Sequence, residues 1–331
     1  LDNIWFTTHS LFELADEFQK MGGKALFLDE VHKYPSWSRE IKNIYDSFPD
    51  IKIVFIGSSL LEIHKGEADL SRRAVTYHLH GLSFREFLQF EYGYKMEALP
   101  LSDILTKHIE LAMNVSKQLK PLVAFNEYLT YGYFPLYKED KILYHERLLA
   151  TLNTILDVDL PSTEKIDYYS IGKIKKLFSI LAGLVPYIPN ISMLSKEIEV
   201  SRISLLNYLS YLQKAQALLL LDKEASGIKQ LAKPEKIYLG NTNYAYALGG
   251  EKTDIGNVRE TFFFNQTAVK HKVTYSSQID FTLNETYNFE IGGKNKTQKQ
   301  LAGVENGYLA LDNIEIGFNN EIPLWLFGLM Y

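Results

Sequence analysis

The chain contains no cysteine. That excludes a disulfide framework, cysteine-ligated zinc and a thiol nucleophile, and it fits a reducing cytoplasm, the expected location. Long apolar runs are also missing. The longest, Ala217–Leu221 and Pro323–Met330, fall far short of the roughly 18–20 residues that span a bilayer, so no membrane partner is expected. No basic stretch followed by an apolar core opens the chain, and no signal peptide is expected. Charge of one sign is scarce: 35 Lys and Arg against 40 Asp and Glu leave a net −5. A polybasic coat for nucleic acid is thereby excluded, though a local basic surface is not. None of the eight histidines belongs to an HExxH string. What remains is ordinary globular material. Of 331 residues 46% are hydrophobic, enough for two or three domains of roughly 100–200 residues.

Apolar spacing predicts an α/β protein. Residues 7–20 have helical spacing. Lys24–Leu28 is a short apolar run bounded by Gly22-Gly23 and by acids, which reads as a buried parallel strand. Trp37–Phe48 is helical again, and Ile51–Ile56 is a second apolar strand. Strand, helix, strand makes a βαβ unit and a parallel sheet. Residues 84–159 read as mainly helical, interrupted at Tyr131–Pro135. From about 236 the strand candidates are Lys236–Leu239, Lys272–Tyr275, Ile279–Leu283, Tyr287–Ile291 and Tyr308–Leu311. Texture places the domains at 1–159, 160–222 and 223–331. Only the middle segment carries more Lys and Arg than Asp and Glu.

The first strand ends in Asp29-Glu30. Two acids at the carboxyl end of a parallel strand suit phosphoryl transfer: the first holds Mg²⁺ through water, the second orients the attacking water. The same string could be a strand ending in a polar loop. The next strand ends in Gly57-Ser58-Ser59, and Arg72-Arg73 follows. An arginine there could neutralise transition-state charge in a neighbouring subunit, or simply solvate a loop. FLDEVHKYPSW, IVFIGSSLLEI, LSRRA with YHLHGLSFREF, and YLTYGYFP occur in this order. The set resembles the prokaryotic AAA-type ATPases fused to a C-terminal domain of unknown function, along nearly the whole chain. The resemblance implies Asp29 and Glu30 as Walker B acids, Ser58 as sensor and Arg73 as finger. Arg72 stands where the family has Gly, which leaves the choice between Arg72 and Arg73 open. It further implies Mg²⁺ and ATP as cofactors, with Asp29 on the metal, and a homo-oligomer assembled through the finger. No GxxxxGK[ST] occurs in the chain, although backbone N–H groups and the lysine of that motif hold the phosphates. In the family it lies upstream, and the chain opens on Leu1 rather than Met. The expectation is a truncated AAA domain with an incomplete sheet, in a chain that neither binds ATP tightly nor hydrolyses it.

Residues 191–221 predict helix, turn at Glu199–Ser201, helix and strand, a winged-helix order. An apolar stripe of Ile203, Leu206, Leu209 and Leu212 would turn Arg202, Ser204, Asn207, Tyr208, Tyr211 and Lys214 outward. Of these, Arg202, Asn207, Tyr208 and Lys214 are the candidates for duplex DNA; a protein partner is the competing reading. In the last segment, Glu260 lies on a helix-like run, Asp280 and Glu290 on successive strands, and Lys294 and Lys296 follow. This is the constellation of PD-(D/E)XK nucleases, in which acids such as Asp280 and Glu290 hold Mg²⁺ and the lysine steadies the reacting phosphate. Period two puts Lys294 on the face of Glu290, unless Gly292-Gly293 breaks the strand. The family resemblance implies the same fold without requiring cleavage. Three functions follow as expectations. The first is an AAA-type ATPase acting on DNA or a DNA-associated partner. The second is a non-catalytic nucleotide-switch interaction protein, and the third a metal-dependent nuclease.

Overall fold

The computed structural model describes residues 4–57, 70, 72–161, 166–223 and 233–331. Contacts divide the chain into two compact units, Leu1–Leu79 with Thr154–Tyr168, and His80–Asn153 with Tyr169–Tyr331.

In the first unit α1 spans Leu11–Lys20. Its start is set by a capping box: the Ser10 hydroxyl accepts from Glu13 N–H, and the Glu13 carboxylate accepts from Ser10 N–H. Strand β1 (Ala25–Leu28) pairs in parallel with β2 (Lys52–Phe55), Leu26 opposite Ile53 and Leu28 opposite Phe55. The connection is α2 (Trp37–Ser47), so the expected βαβ unit is present. One face of the pair packs on Leu11, Ala15, Ile41 and Ile44. The opposite face is open, with Phe27 72% and Val54 43% exposed. Strand β1 therefore alternates in and out, where a run buried on both faces was expected. A parallel sheet ordinarily has both faces covered.

In the second unit residues 84–153 are helical, as their spacing predicts: Phe84–Tyr92, Leu101–Ser116, Pro121–Glu127 and Tyr144–Thr154. The expected interruption is a widened π turn at Tyr128–Gly132 followed by a 3-10 turn, Pro135–Lys138. This segment does not close a domain with the residues before it. Phe125 meets Phe262 edge to face at 4.7 Å, and Phe84 meets Trp325 at 6.4 Å, so its aromatic side chains share a core with the C-terminal residues.

Helices Tyr168–Ala182, Ile191–Glu197 and Arg202–Lys214 come next. Strand β3 (Leu218–Leu221) then pairs antiparallel with β4 (Lys236–Leu239), and Tyr187 bridges Ile237 on the other side of β4. The 222/223 boundary expected from texture thus falls inside a hairpin. Helices Thr242–Gly249 and Ile255–Thr267 lead into a five-stranded mixed sheet of order β5-β6-β7-β8-β9. These strands are Val273–Thr274, Phe281–Leu283, Tyr287–Gly293, Gly307–Asp312 and Glu321–Pro323. Strands β5, β6 and β7 run antiparallel, while β7, β8 and β9 run parallel. No helix among the described residues is long and apolar enough to cross a membrane.

Candidate functional site

Asp29 follows the last residue of β1 and is exposed. Its Oδ1 accepts from Glu30 N–H (2.9 Å). Glu30 takes a left-handed backbone, φ 54°, a conformation that costs a non-glycine residue about 1 kcal/mol or more. Its carboxylate lies 3.5 Å from both His32 Nε2 and Lys33 Nζ. In the same unit, burial pushes the Asp159 carboxyl above its usual value; His32 and Lys33 pull it down and Glu30 pushes it up. Asp29 is therefore an exposed hard oxygen donor fit for water-mediated Mg²⁺, whereas Glu30 stands between the His32 ring and the Lys33 ammonium.

Ser58 lies outside the described residues. Arg73 points at its own unit: Nε and Nη2 donate to the two carboxylate oxygens of Asp46 at 2.9 and 3.0 Å. This fork holds the Asp46 carboxyl below its usual range. Arg72 is exposed. The finger position implied for Arg73 thus carries a guanidinium already engaged within the chain, and Arg72 is the one presented to solvent.

Of the C-terminal acids, Asp280 and Glu290 lie against Lys296 and Glu260 against Lys236, where Lys294 was expected. Glu260, on the helix Ile255–Thr267, accepts from Lys236 Nζ (2.6 Å) and Tyr238 O–H (2.8 Å). Glu290, on β7, is buried and accepts from Lys296 Nζ (2.5 Å) and Asp280 N–H (3.3 Å). Asp280 accepts from Ile291 N–H (2.8 Å) and lies 3.8 Å from Lys296 Nζ. Burial raises the Asp280 carboxyl, with the Glu290 charge adding to it; the Ile291 N–H, Lys296 and Lys236 oppose the shift. Burial, followed by the Glu260 charge, pushes the Tyr238 phenol far above its usual value.

Lys294 is exposed and joins none of these contacts. The strand ends at Gly293, and Lys296 N–H bonds back to Gly293 O (2.9 Å). The turn lays the Lys296 stem across Gly292, where an added Cβ would sit 2.1 Å from Lys296 Cδ. Strand alternation stops before Lys294, so Lys296 reaches Glu290. Lys236 and Tyr238, which sequence reasoning missed, come from β4, an element remote in sequence from the acids.

The acids do not fit a divalent metal. Each carboxylate already accepts from protein N–H or O–H donors, and two ammonium groups stand where cations would. Among the described residues no three His, Asp or Glu side chains are placed to hold a metal ion. The cation beside Asp280 and Glu290 is the Lys296 ammonium.

On the helix Arg202–Lys214 the buried residues are Leu205, Tyr208, Leu209 and Leu212. This i, i+3, i+4, i+7 set matches the 3.6 period better than the stripe of Ile203, Leu206, Leu209 and Leu212. Tyr208 is accordingly a core residue and not a DNA contact, and Ile203 is 67% exposed. Arg202 and Lys214 are exposed and Asn207 is half-buried. Two other lysines of this segment are spent on caps. Lys173 donates to Ile198 O and Glu199 O, and Lys176 to Glu197 O, closing the carboxyl end of the helix Ile191–Glu197.

Residues 1–88 match a family described as an AAA domain, which supports an AAA-type ATPase class for this end of the chain. Residues 123–254 match a family described as a domain of unknown function (DUF8612). The chain is similar to "Uncharacterized protein MJ1637" of Methanocaldococcus jannaschii, 26% identical over 216 residues, 64% of this chain and 45% of that protein. The chain thus spans about half the length of that relative. No solved structure matches it.

Proposed function

We propose that this chain is part of an AAA-type ATPase whose second unit binds duplex DNA without cutting it. The ATPase reading is carried by Asp29-Glu30 at the carboxyl end of β1 in a parallel βαβ pair. Asp29 would hold Mg²⁺ through water, and Glu30 would orient the attacking water once freed from Lys33. With Arg73 bound to Asp46, Arg72 is the better finger toward a second copy of the chain. The 331 residues contain no GxxxxGK[ST]. Calorimetry with Mg-ATP should therefore give binding weaker than about 1 μM, a free energy short of about −8 kcal/mol. Micromolar affinity would overturn this.

The DNA reading is carried by the order helix, Tyr187 bridge, two helices and β3–β4 hairpin, which is that of a winged helix. It presents Arg202 and Lys214 outward. The helix Ile255–Thr267 and the mixed sheet bearing Glu260, Asp280 and Glu290 suit a nuclease-like fold. The lysine bridges favour binding over cleavage there. The test is fluorescence anisotropy with duplex DNA. If about three phosphates are contacted, affinity should fall roughly 40-fold between 50 and 200 mM salt. Absence of binding at low salt would replace DNA by a protein partner and favour the non-catalytic switch.

A further inference from the structure

Residues 188–192, Arg202 and Lys233 line a pocket of about 370 Å³. Its two cations come from separate elements. Arg202 is the first residue of the helix Arg202–Lys214, and Lys233 precedes β4. Among the described residues no Asp or Glu lines the pocket. Neither Arg202 nor Lys233 makes an ion pair or hydrogen bond among the described residues. Neighbouring lysines behave otherwise: Lys173 and Lys176 cap a helix, and Lys236 pairs with Glu260. Arg202 also stands at the amino end of its helix, where the peptide dipoles repel a cation. Two like charges facing one cavity repel each other as well. An anion in the pocket would relieve both.

The polar wall is Asn190 and Ser192. The Asn190 side chain is already used to cap Met193 N–H (3.0 Å), so the charge on an anion would be met by the guanidinium and the ammonium. Arginine offers a fork to two oxygens of a phosphate, and lysine a mobile point charge. Exposed Ile188 lies on the pocket wall, where the apolar side of a sugar or base can rest. We infer that this pocket takes one backbone phosphate of duplex DNA, held between Arg202 and Lys233. The inference rests on the DNA reading above and gives it a place.

The test is anisotropy with a labelled duplex across a salt series. It compares the full chain with the double variant R202A/K233A, the charge-keeping variant R202K/K233R, and K299A, an exposed lysine outside the pocket. All the altered residues are at the surface, so folding is not at risk. R202A/K233A should weaken binding by about tenfold or more at low salt and lower the log–log salt slope by about one to two. R202K/K233R should restore the slope and K299A leave it unchanged. If the full chain binds DNA and R202A/K233A binds with equal affinity and slope, the pocket assignment falls and the DNA reading stands. If the full chain fails to bind at low salt, both fall. Thermal stabilisation by millimolar inorganic phosphate, lost in R202A/K233A in a chain that ignores duplex DNA, would overturn the DNA source in favour of a free anion.

Discussion

Lys296→Met is expected to destabilise the second unit by about 3 kcal/mol, the lower end of the range for a broken buried pair. The estimate sits at that end because the Lys296 side chain is 24% exposed, although that of Glu290 is only 4% exposed. Methionine keeps the stem over Gly292 but removes the cation, which leaves Glu290 buried beside Asp280 with one donor, the Asp280 N–H. Urea denaturation followed by aromatic fluorescence reads the change. With a slope of about 1–3 kcal/mol per molar, the midpoint of this unit should fall by about 1 M or more. Lys296→Met combined with Glu290→Gln should recover most of the loss, because a neutral amide can still accept from Asp280 N–H. Such non-additivity identifies a direct pair. A lysine idling beside a metal centre gives the opposite pattern: a small change in stability, and Mg²⁺ or Mn²⁺ binding gained once the ammonium is gone. That outcome would return the acids to the nuclease reading.

The same site shows where sequence reasoning stops. Glu260 and Glu290 were legible because each lies in a regular element whose period fixes its face; Asp280 stands one residue before β6. Lys296 was not, because its position depends on the turn after Gly293, and a two-glycine step can be strand, bulge or turn until its contacts are known. Tyr208 misled for another reason. Tyrosine suits either a core or an interface, and only packing of the helix Arg202–Lys214 decides between stripes one residue apart. The βαβ pair and four of the five C-terminal strands were readable from short apolar runs. Strand β9 is three residues long and ends in Pro323, too little for any period. The contact of residues 84–153 with the C-terminal core has no sequence signal at all. It is made by aromatic pairs such as Phe125 and Phe262, more than a hundred positions apart.

Asn243→Ala should be the most damaging single change outside the acid site, at about 4–5 kcal/mol. Asn243 is fully buried, and both ends of its amide are bonded. Its Oδ1 accepts from Tyr133 N–H (2.9 Å) and Tyr144 O–H (2.6 Å). Its Nδ2 donates to Leu129 O (2.9 Å) and Tyr128 O (3.2 Å). These partners sit in and beside the widened turn Tyr128–Gly132, where the helix leaves backbone groups for another donor or acceptor to satisfy. Truncation strands several buried polar groups, each costing about 1–3 kcal/mol, and opens a small void. The sum is held below simple addition because the turn can relax toward regular helix. Tyr144→Phe removes only one of these bonds and should cost only about 1 kcal/mol. A thermal or urea transition of the second unit distinguishes the two. Equal effects from both substitutions would mean that Asn243 acts through Tyr144 alone and does not hold the turn. The YLTYGYFP string then acquires a physical reason: Gly132 admits the Phe87 ring, 2.7 Å from where a Cβ would be, and the turn beside it depends on Asn243. A motif that points to an ATPase family is, in this unit, a device for joining the helical segment to the C-terminal core.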